Sequence, residues 1–131
     1  MLNVLRIDHV TFVVSDLERA RVFYEDLLGM RPAVRPAFRF DGLWFQAGTT
    51  QIHLILTHPE SGLPDRSPSA PEPSRTRHVA FEVEDAWKTV EQLKSREVPI
   101  IAGPKHRPDG PLQVYVHDPD GNVIELFSLK G

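Results

Sequence analysis

Arg6-Ile7-Asp8-His9-Val10-Thr11-Phe12-Val13-Val14-Ser15-Asp16 decides the fold, because the chain says it twice. Arg75-Thr76-Arg77-His78-Val79-Ala80-Phe81-Glu82-Val83-Glu84-Asp85 returns Arg, His, Val, Phe, Val and Asp in the same order, offset by 69 positions (78 − 9). Each copy opens with a period-2 segment, as a half-buried strand requires. In the first copy Val10, Phe12 and Val14 form the apolar face, and His9, Thr11 and Val13 the other. In the second, Val79, Phe81 and Val83 oppose His78, Ala80 and Glu82.

The repeat reaches the module ends. Ile52-His53-Leu54 corresponds to Ile124-Glu125-Leu126, now offset by 72 (125 − 53), so the modules differ by three residues of loop. Between these ends the first module reads as a helix over about 16–28, opened by a Ser15/Glu18 capping box and closed by Gly29. Strand-like segments near 30–40 and 42–48 follow, with Asp41-Gly42 as a turn signal, and then the strand 51–56. Residues 59–74 are rich in Pro, Ser and charge and read as a linker. The second module has Asp85 as cap of a helix over about 85–96, with Ala86, Val90 and Leu93 as its buried stripe. A strand-like stretch 99–102, a loop 103–111, a strand 113–117, a turn 118–122 and a last strand 123–128 complete it.

These are two tandem βαβββ modules, about 1–58 and 75–131, an α+β chain read as one domain over 1–131. At 131 residues, 40% hydrophobic and 25% charged, the chain has the composition of a globular protein. No apolar run is long enough for a membrane-spanning helix, and no signal-peptide pattern opens the sequence, which points to the cytoplasm. A net charge of −3 argues against nucleic-acid binding. With no Cys, any metal must rest on His and carboxylates.

In a βαβββ unit the first and last strands lie side by side. That makes His9 a neighbour of His53 and His78 a neighbour of Glu125, all on the face opposite the helix. Three imidazoles and one carboxylate suit a divalent ion such as Zn²⁺, Ni²⁺, Co²⁺, Mn²⁺ or Fe²⁺. They equally fit polar positions on half-exposed strands. Tyr115 and His117 share a strand face, and Lys105, His106 and Arg107 share a loop that either binds a substrate anion or is simply solvated. Tyr115, His117 and Arg107 are the candidate substrate contacts. Thr11, Gln51 and Glu82 flank the candidate ligands, either orienting imidazoles or as exposed polar residues. Phe38, Phe40, Trp44 and Phe45 divide between core and cavity wall, and Trp87 belongs to packing or a subunit contact.

Three stretches, DHVTFVVSDLERARVFYEDLLGM at 8–30, RHVAFEV at 77–83 and DPDGNVIELF at 118–127, resemble the vicinal oxygen chelate superfamily, the glyoxalase/bleomycin resistance/dioxygenase group. The resemblance implies a curved mixed-sheet cup around one divalent ion per site, with ligands His9, His53, His78 and Glu125. It implies a small-molecule substrate with vicinal oxygens, a lyase or isomerase reaction in which Glu125 and His53 are the candidate proton movers, and a homodimer. Its alternatives are an Fe²⁺ extradiol-type dioxygenase and a non-enzymatic drug-binding resistance protein. The departure is at His53. Glyoxalase I enzymes carry Glu there and methylmalonyl-CoA epimerases Gln, while dioxygenases and fosfomycin-modifying enzymes use only the equivalents of His9, His78 and Glu125.

Overall fold

The computed structural model describes residues 1–65 and 72–129. Part of the linker, residues 66–71, lies outside the described residues. The chain divides into two compact units, Met1–Asp65 and Arg66–Gly131.

The first unit runs β1 (His9–Val14), helix α1 (Leu17–Arg21) continuing as a π-helical turn (Val22–Leu27), β2 (Arg31–Pro32), β3 (Gly42–Ala47) and β4 (Thr50–Leu56). Its sheet order is β1-β4-β3-β2. β1 pairs parallel with β4, and β4 antiparallel with β3. The alternation holds: Val14, Ile52, Leu54 and Phe45 are buried on one face, together with Ala20, Phe23 and Tyr24 of the helical segment. Tyr24 packs between Phe12 and Phe45, at ring-centroid distances of 6.3 and 6.4 Å. Burial of side chains this size is worth roughly 1.5–3 kcal/mol each, so this face holds the unit together.

The second unit repeats the plan: β5 (His78–Glu82), α2 (Ala86–Ser95), β6 (Ala102–His106), β7 (Leu112–His117) and β8 (Val123–Ser128), in the order β5-β8-β7-β6. Ala86, Val90 and Leu93 are the buried stripe of α2. They share the core with Leu112, Val114, Val116, Ile124 and Leu126.

The strand registers match the duplication read from the sequence. Thr11 stands opposite His53, and Ala80 opposite Glu125. One further equivalence follows, since Trp44 is paired with His53 and Tyr115 with Glu125.

Several details differ from the sequence reading. The first helix is capped by Asp16, whose carboxylate accepts from the Arg19 N–H at 2.9 Å, and not by a Ser15/Glu18 box. Asp85 does the same for α2 through the N–H groups of Trp87 and Lys88. The repeated Asp is therefore the residue that starts both helices, and Glu18 instead pairs with Arg21. The helical segment widens into a π turn, with Leu28 N–H reaching Phe23 O, where two successive aromatics, Phe23 and Tyr24, are buried. Residues 30–40 supply only the two-residue β2, because Pro32 and Pro36 withhold ladder donors. Gly42 begins β3 instead of ending a turn, and β3 turns into β4 at Gly48, where φ is +59°. The sixth strand lies at Ala102–His106, later than the 99–102 stretch. A 3-10 turn, Pro73–Arg75, occupies the end of the linker, and Trp87 is half-exposed.

Candidate functional site

In each unit, the face turned away from the helix carries the polar pair that the duplication marks. In the first unit, His9 Nδ1 donates to Asp8 Oδ2 at 2.8 Å, and Arg6 donates to the other Asp8 oxygen at 3.0 Å. Together, the His9 bond first, they hold the Asp8 carboxyl below the usual carboxylate range. The segment is tied to β4 by Gln51 N–H to Asp8 O and Thr50 Oγ1 to Ile7 O. With Nδ1 committed as donor, neutral His9 carries its lone pair on Nε2.

His53 is held differently. Gln46 Nε2 donates to Gly48 O at 2.7 Å, Gln51 Nε2 donates to Gln46 Oε1 at 2.9 Å, and His53 Nε2 donates to Gln51 Oε1 at 2.8 Å. A backbone carbonyl anchors this chain, so each amide's direction follows from the one before, and His53 Nε2 must carry its proton. The ring also lies between two others. Trp44 stacks on one side at 3.9 Å and 1°, and His9 stacks at 4.0 Å and 15°. Phe38 and Phe40 continue the column beyond Trp44, with the Arg35 guanidinium over both rings. Burial first, then the neighbouring His9, lowers the His53 pKa and favours its neutral form.

In the second unit, His78 Nδ1 donates to the Thr76 carbonyl at 2.8 Å. In the neutral ring that places the lone pair on Nε2, 3.2 Å from Glu125 Oε1. The Tyr115 hydroxyl donates to the same Oε1 at 2.7 Å, and Gln113 Nε2 donates to the Tyr115 hydroxyl at 3.1 Å. Burial and the adjacent Glu125 push the Tyr115 phenol well above its ordinary value, so it stays a donor. A bare imidazole nitrogen facing a carboxylate oxygen is lone pair against lone pair. A proton or a cation between them relieves the clash.

Among the described residues of neither unit do three or more His, Cys, Asp or Glu side chains gather as a metal-holding group. Each unit contributes a pair. Taken unit by unit, the donors are nevertheless of the types that suit a divalent ion: the His9 imidazole in the first, and the His78 imidazole with the Glu125 carboxylate in the second. Both imidazoles spend Nδ1 on an oxygen acceptor and keep Nε2 for coordination, the arrangement that orients histidine ligands in metal sites.

The remaining candidates divide. Tyr115 is fully buried and serves Glu125. His117 is exposed at the end of β7. Arg107 pairs with Asp109 and lies over the Phe127 ring, while Lys105 pairs with Glu72. Gln51 orients an imidazole; Thr11 and Glu82 are exposed. The sequence reading missed Asp8, Gln46 and the Thr76 carbonyl. Asp8 was visible as the residue before His9 in the opening stretch. The Thr76 contact is made by backbone, which no side-chain pattern announces.

Duplicated βαβββ units of this kind have relatives of known family. The family model for the Glyoxalase/Bleomycin resistance protein/Dioxygenase superfamily matches residues 6–126. The chain belongs to this superfamily. Within it, the chain is 26% identical over 129 residues to glyoxylase I 4 of Arabidopsis thaliana, covering 95% of this chain and 71% of the relative. It is 28% identical to metallothiol transferase FosB of Staphylococcus epidermidis, covering 97% and 84%. A solved structure of a glyoxalase family protein from Bacillus anthracis matches with a TM-score of 0.72 at 29% identity, covering 98% of both chains. No helix among the described residues is long and apolar enough to cross a membrane.

Proposed function

We propose that this chain is a divalent-metal-dependent enzyme of the vicinal oxygen chelate type, a glyoxalase-like lyase or isomerase acting on a small molecule with adjacent oxygens. The observation that carries it is His78: Nδ1 fixed on Thr76 O, and Nε2 facing Glu125 Oε1 at 3.2 Å. This arrangement supports reading His78 and Glu125 as a ligand pair. His9, oriented by Asp8, is the matching donor of the first unit. The similarity to proteins named glyoxylase and metallothiol transferase supports the same class.

When bound, the ion supplies Lewis acidity, stabilising charge that develops on a chelated substrate oxygen. The chain's own residues do the rest. Asp8 and Thr76 hold the imidazoles in the coordinating tautomer. Tyr115 fixes one oxygen of Glu125, and the buried carboxylate is the group we assign to accept a proton from the carbon beside the chelating oxygens. Members of similar length pair into homodimers by the resemblance, and we extend that arrangement to this chain.

The test is metal content by mass spectrometry on purified protein, then exchange of substrate C–H for deuterium in D₂O across a panel of hydroxyketones and hemithioacetals. Stoichiometric divalent metal, lost in His78→Ala, and exchange lost in Glu125→Gln are expected. Absence of any stoichiometric metal would overturn the reading in favour of ligand sequestration. An Fe²⁺ dioxygenase is the second reading: the resemblance implies a two-His-one-carboxylate ligand set, and His9, His78 and Glu125 are the residues that would supply it. Oxygen uptake with a catechol and Fe²⁺ selects it.

A further inference from the structure

We infer that His53 is a positioning residue that clamps His9 and does not itself bind the ion. This rests on the metal-binding reading above, and it sets His53 apart from the fourth-ligand and proton-moving roles that its strand position suggests.

The geometry of the stack argues it first. Imidazole lone pairs lie in the ring plane, and metal–nitrogen bonds are about 2.0–2.1 Å long. The His9 and His53 planes are inclined by only 15° with centroids 4.0 Å apart. An ion in the plane of one ring is therefore beyond bonding reach of the other while the stack holds. The hydrogen-bond chain argues it second. His53 Nε2 is spent on Gln51, which is spent on Gln46, which is anchored on Gly48 O. Ligation through Nε2 would cost His53 its bond to Gln51.

The duplication supplies an internal control. At the equivalent register of the second unit, Glu125 meets His78 edge-on, coordinating atom to coordinating atom at 3.2 Å. Its strand neighbour Tyr115 donates to it. In the first unit the same two positions hold Trp44 and His53, and His53 meets His9 ring face to ring face. One unit brings its pair together as ligands; the other brings them together as packing. Sandwiched by Trp44 and pinned by Gln51, His53 is a flat, fixed surface against which the half-exposed His9 ring is held. Holding His9 there reduces the rotamer freedom lost when its Nε2 coordinates.

Zinc-loaded wild-type protein, examined by X-ray absorption, should show two imidazoles, not three, and His53→Phe should leave that count unchanged. In competition titrations with Zn²⁺, His53→Phe keeps the stacking ring and should bind within threefold of wild type. His53→Ala removes the clamp and should weaken binding about tenfold, in the range found when orienting partners of ligands are removed. A third imidazole in the wild-type spectrum, or a His53→Phe affinity as low as that of His9→Ala, would overturn the inference. If the wild-type protein takes up no stoichiometric metal, the metal reading fails instead. The clamp then stands on proton NMR of the apo protein: the His9 ring protons should be shifted upfield by ring currents, and an unshifted wild-type signal refutes it. The wild-type spectra decide the question even if a variant does not fold.

Discussion

The Tyr115 hydroxyl donates to Glu125 Oε1 at 2.7 Å, the same oxygen that lies 3.2 Å from His78 Nε2. Tyr115 is fully buried, so the bond is shielded from water, and it selects the orientation in which the carboxylate faces the imidazole. Tyr115→Phe removes that bond and leaves the Gln113 side-chain donor without its acceptor. We expect a stability loss of about 1–3 kcal/mol, the usual cost of unsatisfied buried polar groups. Metal affinity should fall about tenfold, as for other losses of a ligand's orienting partner. Urea denaturation and a Zn²⁺ competition titration measure the two effects separately, and an unchanged affinity would reduce Tyr115 to a core residue.

Asp8 is exposed and bonds His9 without packing against the core. Asp8→Asn should leave the melting temperature unchanged while lowering the electron density that the carboxylate lends to His9 through Nδ1. Affinity for a divalent ion should fall about tenfold. Should both quantities stay the same, His9 is not a ligand, because an oriented imidazole ligand responds to its partner.

Much of this was legible in the opening stretch. Duplication of Arg, His, Val, Phe, Val and Asp defined the units, and the two offsets, 69 and 72, reappear as the Thr11–His53 and Ala80–Glu125 registers. Period-2 alternation separated the faces correctly because one face must bury against a helix. What could not be read is how partners on one face meet. Strand position makes His53 and Glu125 equivalent, yet one is stacked and the other faces its neighbour edge-on, a difference set by Trp44 and Gln51 against Tyr115. Those are contacts between strands, and nothing in local sequence states them. The cap assignment failed for a smaller reason: Ser15 and Asp16 both cap helices well, and one residue of register decides between them.

Acid should weaken the protein through His53. Its folded pKa is lowered by burial and by His9, whereas an unfolded histidine titrates near 6.5. Above roughly pH 6.5 both states hold the ring neutral, and its contribution to stability is fully present. As the pH falls below that value the unfolded state takes the proton first, so the contribution is progressively lost until the folded ring also protonates. Urea midpoints of wild type and His53→Phe at pH 7.5 and 5.5 test this. The wild type should lose more on acidification than the variant; equal losses would mean that His53 carries no such penalty.

The turn between β7 and β8 carries the last prediction, because it sets the register that brings Tyr115 opposite Glu125. Asp118 is buried there, and the bonds its carboxylate accepts include Asp120 N–H at 3.0 Å and Asn122 N–H at 2.8 Å on Oδ1, and the Asn122 side-chain amide at 2.9 Å on Oδ2. Hydrogen bonds to a charged acceptor contribute about 1.5–3 kcal/mol each, so Asp118→Ala should cost about 3 kcal/mol or more. Asp118→Asn keeps an oxygen for the two backbone donors and loses the bond from Asn122 Nδ2, so its cost should be smaller, about 1–1.5 kcal/mol for that bond. Denaturation of the two variants measures the ratio. If both cost the same, charge rather than the bond pattern holds the turn. If neither costs anything, the β7–β8 register is set by the strands alone, through Val114–Leu126 and Val116–Ile124.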